Sequence, residues 1–277
     1  MVQIISDSSI LYTREQAQEM GVEVIPLCVS CGYVEGRDMQ IDMDAYYEAI
    51  QFGHNPMSSQ PPIGEVVEAY EKYADEDIIN IAMADGLSGT YETACMAKEM
   101  VDNKDRITVI NTKTLCGPHR YMVEKAQEMK MAGHSAKEIV DWLKHAVESH
   151  ESFLIPQDFD FLKRGGRLAP MAATLGSILK LKPVMTQTPD GKRLDKFTVK
   201  RTMKAAVQAV IDHMKEKKVD ARHIIYISHA RALKDAEYVK AQIEKHFENV
   251  EICMLELGAA FVTQGGPLCV AIQYIER

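Results

Sequence analysis

Two short runs hold most of the side chains that could do chemistry, MSSQPP at 57–62 and DGLSGTYETA at 85–94. Ser58 and Ser59 sit in the first, Ser88 and Thr90 in the second, and each run precedes a helical pattern. Open N–H groups at a helix start attract anions, and neighbouring hydroxyls can add hydrogen bonds. Such residues are also favoured helix caps, and capping alone would account for them. A third account makes Ser88 a nucleophile on a strand–helix turn. The nucleophile elbow reads G-x-S-x-G, however, and Asp85-Gly86-Leu87-Ser88-Gly89 has its first glycine one place off. A serine hydrolase or acyltransferase also needs a base with an orienting carboxylate, and no spacing ties His119 or His229 to Ser88. Capping, anion or head-group binding and nucleophilic catalysis all remain open on these residues alone.

The elements that must position these hydroxyls follow from periodicity. Strand-like runs at 2–6, 22–29, 77–83 and 106–111 alternate with amphipathic segments at 13–20, 63–73, 91–100 and 121–131. That alternation predicts a three-layer α/β/α arrangement around a mainly parallel sheet. A further helix at 137–149 carries Ile139, Val140, Leu143 and Val147 on one face. Ligands of open parallel sheets bind over the carboxyl ends of the strands. DSS (7–9) follows the first strand, SGT (88–90) the third and NTKT (111–114) the fourth. Three hydroxyl-rich loops are therefore expected at one sheet edge, with Ser58 and Ser59 capping or preceding the helix at 63 near the same edge.

A second group of strands is expected near 152–156, 183–188, 194–199, 223–228, 250–256 and 268–275, with helices at 201–217 and 231–247. Pro189-Asp190-Gly191 reads as a hairpin turn. Fewer helices per strand predict a two-layer α+β domain with a mixed sheet. The expected division is 1–150 and 151–277. Within the second part, FLKRGGRLAP (161–170) sets Lys163, Arg164 and Arg167 around two glycines. This is either a solvated turn at a helix C-terminus or a docking patch for an acidic partner or a phosphate. His229 ends a strand and reads as structural.

The totals limit the function classes. Apolar residues make up 46% and charged residues 26% of the 277, a globular profile. The formal charge of −8 argues against a nucleic-acid partner. No apolar run approaches the length of a membrane span, and the start MVQIISDSSI lacks signal-peptide features, which is the expectation for a cytoplasmic protein without stable membrane insertion. The six cysteines are too scattered for a disulfide framework. Cys28 and Cys31 form a CxxC within a strand, where residues three apart face opposite ways, so neither a metal site nor a redox pair is expected. Sixteen methionines either fill the core or line a flexible guest.

Taken in order along the chain, IISDSS, SSQPP, DGLSGTYETA, FLKRGGRLAP, ISHA and the glycine–proline turn near the C-terminus resemble the DegV family of bacterial fatty-acid-binding proteins. The resemblance implies a two-domain, non-enzymatic lipid carrier of phospholipid metabolism, with no cofactor and no metal. It holds a long-chain fatty acid such as palmitate and presents the carboxylate to a separate fatty acid kinase, which makes the acyl-phosphate. Carried over by position, Ser58 stands where the family has Thr in T-S-Q-P, and Ser88 matches the serine of S-G-T. Both hydroxyls would hold the carboxylate. Gln264 stands where a histidine commonly precedes the family's G-P-G turn, and Leu268 replaces its last glycine. Glutamine can still donate but cannot become cationic. Asn111 stands where the family tends to have Asp. Arg167 and Arg201 fall where the family's partner-facing cations are expected. A serine-dependent acyl hydrolase or transferase, and a binder of a phosphorylated small molecule, are the alternative functions for the same loops.

Transfer energies fit the carrier. Burying a chain yields about 0.8 kcal/mol per CH₂, so fourteen methylenes give a gross gain of roughly 11 kcal/mol before ordering costs. Each hydroxyl bond to a carboxylate adds about 1.5–3 kcal/mol. The acyl tail supplies affinity and the serines supply orientation.

Overall fold

Ile4, Ile5, Ile78, Ile79 and Ile81 have almost no solvent exposure, because their two strands lie at the centre of a sheet with both faces covered. The structure is a computed structural model and describes residues 1–173 and 181–277. The described chain forms two compact units, one of Met1–Glu148 with Gly258–Ala260, the other of Ser149–Leu257 with Phe261–Arg277.

The first unit opens with β1 (Val2–Asp7), α1 (Arg14–Met20) and β2 (Glu23–Ile25). Next come β3 (Cys28–Cys31), β4 (Val34–Arg37), α2 (Met43–Gln51) and β5 (Pro56–Ser59). It closes with α3 (Ile63–Lys72), β6 (Asp77–Ala82), α4 (Thr90–Lys98), β7 (Ile107–Asn111), α5 (Cys116–Met131) and α6 (Ala136–Ala146). Its main sheet has the order β2-β1-β6-β7, parallel throughout. Helices α3 and α4 bury Val66, Tyr70 and Ala97 against Ile5, Ile78 and Ile107. Thr13 and Ser135 cap α1 and α6 with reciprocal Gln16 and Glu138 bonds, the capping box their spacing permits.

One feature departs from the pattern expected of residues 22–29. Pro26 and Leu27 separate two strands there, and β3 joins β4 and β5 in a small antiparallel sheet ordered β4-β3-β5. These strands are short and half-polar, and α2 between them has only nine residues, so their periodic signal is weak. Cys31 is buried and Cys28 half-buried on opposite faces of β3, as strand geometry requires.

The second unit contains β8 (His150–Ile155), α7 (Phe159–Gly165), α8 (Pro170–Ala173), β9 (Lys182–Gln187) and β10 (Leu194–Lys200). It continues with α9 (Met203–Glu216), β11 (His223–His229), α10 (Leu233–His246), β12 (Glu251–Glu256), the part of α11 (Ala259–Gly265) from Phe261 onward, and β13 (Val270–Glu276). The sheet order is β10-β9-β8-β13-β11-β12, antiparallel except for the β11–β12 pair. Val207, Val210, Ile211 and Met214 of α9 and Val239 and Ile243 of α10 pack on Phe153, Ile225 and Ile272 of the sheet. On the opposite face Leu154 and Met185 meet Leu162 of α7 and Ala172 of α8.

Asp38 is fully buried in the first unit. Its carboxylate accepts from Ser8 Oγ at 2.8 Å and from the Ala260 amide at 3.2 Å, fastening residues 258–260 to the loop after β4. Burial pushes this carboxyl up to about 6, against the opposing pull of those hydrogen bonds. A carboxyl raised on folding contributes stability at low pH that is lost as pH rises through its folded value. The stability difference between wild type and Asp38→Asn is therefore expected to vary between about pH 4 and 6. Urea unfolding across that range measures it, and a flat difference would show that folding does not raise the Asp38 carboxyl.

Candidate functional site

The carboxyl ends of β1, β6 and β7 gather the hydroxyl loops, yet most of the hydroxyls face inward. Asp7 accepts from the Ser9 amide through one oxygen and from the Met83 amide through the other, each at 2.9 Å. Ser6 Oγ donates to the Ile81 carbonyl at 2.8 Å. Ser9 Oγ lies 2.5 Å from Nδ1 of His119, whose Nε2 lies 3.0 Å from the Ile81 carbonyl and 3.1 Å from Ser6 Oγ. The carbonyl can only accept, so Nε2 carries the proton and Nδ1 accepts the Ser9 hydroxyl. Burial holds the imidazole below its ordinary basicity despite the neighbouring Asp7 charge, so it stays neutral. Ser8, Ser9 and His119 have no solvent exposure, which makes this serine–histidine pair an internal brace. Thr112 Oγ1 likewise donates to the Ala82 carbonyl at 2.9 Å.

Ser88 differs because it stays half-exposed. The loop leading to it is hung from both sides. Met83 is held by Asp7, the Ala84 amide donates to the Thr114 carbonyl at 2.9 Å, and the Ser88 amide donates to the Ala84 carbonyl at 3.2 Å. The N-cap of α4 is Gly89, without a side-chain cap bond, so Ser88 is not the cap. Its Oγ shares a 2.8 Å bond with Thr90 Oγ1 and accepts from the Thr90 amide at 3.3 Å. Among the described residues these are its hydroxyl's partners, and neither is a base. Ser58 and Ser59 also do not cap. They lie in β5, with Ser58 opposite Val29, while Pro62 is the N-cap of α3. The two polar runs nevertheless meet. A β-carbon on Gly89 would sit 3.2 Å from the Gln60 side chain, so glycine allows the end of the SSQ run to close on the SGT turn. Gln60 is the residue here that the motif reading did not single out. Asn111 uses Oδ1 to accept from the Lys113 amide at 3.0 Å and the Asp85 amide at 3.4 Å, work an aspartate could do equally.

The other candidates lie in the second unit. Gln264 is half-buried near the end of α11. Arg167 is half-buried just beyond α7, and its Nη1 donates to the Gly165 carbonyl at 2.5 Å. Arg201 is exposed immediately before α9. The basic run is thus the helix C-terminus, with Gly166 as its left-handed cap at φ 71°. Its arginines are tied down, Arg167 as above and Arg164 stacked 4.6 Å from the Phe161 ring centre. Among the described residues no cluster of three or more His, Cys, Asp or Glu could hold a metal, and no helix is long and apolar enough to cross a membrane.

All of residues 1–277 match the model of a family described as "Uncharacterised protein, DegV family". The chain belongs to the DegV family. A DegV domain-containing protein of Staphylococcus aureus is 30% identical over 257 residues, 90% of this chain and 90% of its own. The crystal structure of DegV, a fatty acid binding protein from Bacillus subtilis, is similar at 27% identity and a TM-score of 0.85, covering 100% of this chain and 99% of that one. A DegV family protein from Eubacterium eligens loaded with heptadecanoic acid shares the fold at 18% identity, with a TM-score of 0.87 over 100% of both chains.

In this DegV chain the brace and the exposed serine should respond differently to truncation. His119→Ala leaves the buried Ser9 hydroxyl without its acceptor and opens a cavity, at an expected cost of about 3 kcal/mol. Ser88→Ala should cost less than about 1 kcal/mol, since its hydroxyl is half-exposed and bonds only a neutral neighbour, Thr90. Urea midpoints compare the two, and equal losses would contradict the division between brace and available hydroxyl.

Proposed function

We propose that this chain binds a long-chain fatty acid non-covalently and presents its carboxylate to a separate fatty acid kinase for acyl-phosphate formation. Ser58, Ser88 and Gln264 are the head-group residues of this reading, and Arg167 and Arg201 its partner-facing cations. The observation that carries it is the closure of Gln60 on Gly89, which makes one polar surface of the SSQ and SGT runs. The likeness to the B. subtilis fatty acid binding protein over the whole chain supports the ligand class. The Ser88 hydroxyl accepts from the Thr90 amide and has no base as partner among the described residues, which suits a group that donates to an acid without attacking an ester.

Native mass spectrometry of protein purified from cells should find one long-chain acid per chain, bound without a covalent link. Ser58→Ala and Ser88→Ala are each expected to lower retention several-fold with the fold intact, and full retention in the double variant would move the head group elsewhere. Acylated Ser88 would favour the hydrolase, and thermal stabilisation by phosphate would favour a phosphorylated ligand. Arg201→Ala should keep the lipid and slow acyl-phosphate formation by a fatty acid kinase. Equal rates with wild type would remove Arg201 from the docking surface.

A further inference from the structure

The two glycines of the R-G-G-R run exist for different reasons. Gly166 has φ 71° and open space where a β-carbon would go, so its backbone conformation explains it. Gly165 is the last residue of α7 and does not have a positive φ. Alanine would suit that helical backbone better by roughly 1 kcal/mol. What forbids a side chain is Gln264, since a β-carbon on Gly165 would lie 2.0 Å from its Oε1, 3.2 Å from Cδ and 3.9 Å from Nε2. The amide of Gln264 therefore beds its oxygen against α7 and turns its donor end away from the helix.

Arg167 holds the floor of that bed. Its guanidinium donates to the carbonyl of Gly165, one of the helix-terminal carbonyls left without an intrahelical partner. Its own backbone is fixed as well, because the Leu194 amide of β10 donates to the Arg167 carbonyl at 2.9 Å. Gly265, next to Gln264, allows α11 to sit close to the sheet, where a β-carbon would be 2.7 Å from Cys269 Sγ and 3.7 Å from Leu154 Cδ1.

We infer that Gly165 and Arg167 are positioning residues for Gln264, aiming its amide donor by leaving a glycine-sized seat whose carbonyl is pinned by the guanidinium. The inference rests on the reading of Gln264 as a carboxylate donor. It gives Arg167 a role inside the protein in addition to the partner-facing one, so its substitution should alter lipid release in the absence of any kinase.

The test is the release of bound palmitate to neutral phosphatidylcholine vesicles from wild type, Gly165→Ala, Arg167→Ala, Gln264→Ala and the two pairs built on Gln264→Ala. The atom that Gly165→Ala meets first is the tip of a flexible side chain, so the variant should fold with Gln264 displaced. Each single substitution is expected to speed release about tenfold, the loss of one hydrogen bond to a charged group. In the Gln264→Ala background neither Gly165→Ala nor Arg167→Ala should speed release further, because the side chain they act through is gone. A merely structural effect would persist in that background. Wild-type release from Gly165→Ala and Arg167→Ala, or additive effects in the pairs, would overturn the inference while leaving the head-group reading in place. Wild-type release from Gln264→Ala would instead remove Gln264 from the head group, and the inference with it.

Discussion

Asp7 accepts from two loops at once, and the carboxyl edge of the parallel sheet is organised around that clasp. A carboxylate 2% exposed persists only when hydrogen-bonded, so the Ser9 and Met83 amides are obligatory partners. Met83 is the first residue after β6 and the root of the loop that ends at Ser88. His119 joins the same two loops by a second route, through Ser9 and the Ile81 carbonyl. With Ala84 also tied to Thr114, the Ser88 loop is fixed at its base by both neighbouring connections. In the proposed carrier, a loop held in this way before the ligand arrives lowers the ordering cost of binding.

Much of this was legible in the residues. The parallel strands, their covering helices and the mixed second sheet follow from strong periodicity, and the ordered motifs named the family. Periodicity did not reveal the small sheet of β3, β4 and β5, because strands of four residues with half-polar faces leave no repeat to count. The function of each hydroxyl was hidden for another reason. DSS and SGT look equally polar in sequence, yet Ser8 and Ser9 are buried and Ser88 is half-exposed. The difference is set by Asp38 and His119, 30 and 110 residues away in the chain, and local spacing carries no trace of such pairings.

The basic glycine run shows the same limit from the opposite direction. Two adjacent glycines among cations suggest a loose loop, but the backbone there is a helix end with a left-handed cap. Only the fold reveals that one glycine serves the cap and the other makes room for a side chain about 100 positions later. A pair of glycines can thus mark constraint as readily as freedom.

The proposed head group also has to operate in an unfavourable field. A protein of formal charge −8 repels a carboxylate, but beyond about 8 Å physiological salt screens most of that repulsion. Orientation must then come from donors at contact distance. The two serines and Gln264 are neutral donors, so none of them gains or loses charge near neutral pH. A histidine in place of Gln264 would strengthen its contact on protonation and make grip depend on pH. With the amide, the proposed head-group contact would be insensitive to pH near neutrality and modest in energy, leaving the tail to supply the bulk of the affinity. If the chain offers its carboxylate to a second protein, as proposed, weak neutral donors have an advantage. They fix the direction of the acid while costing little to break when another protein's groups replace them.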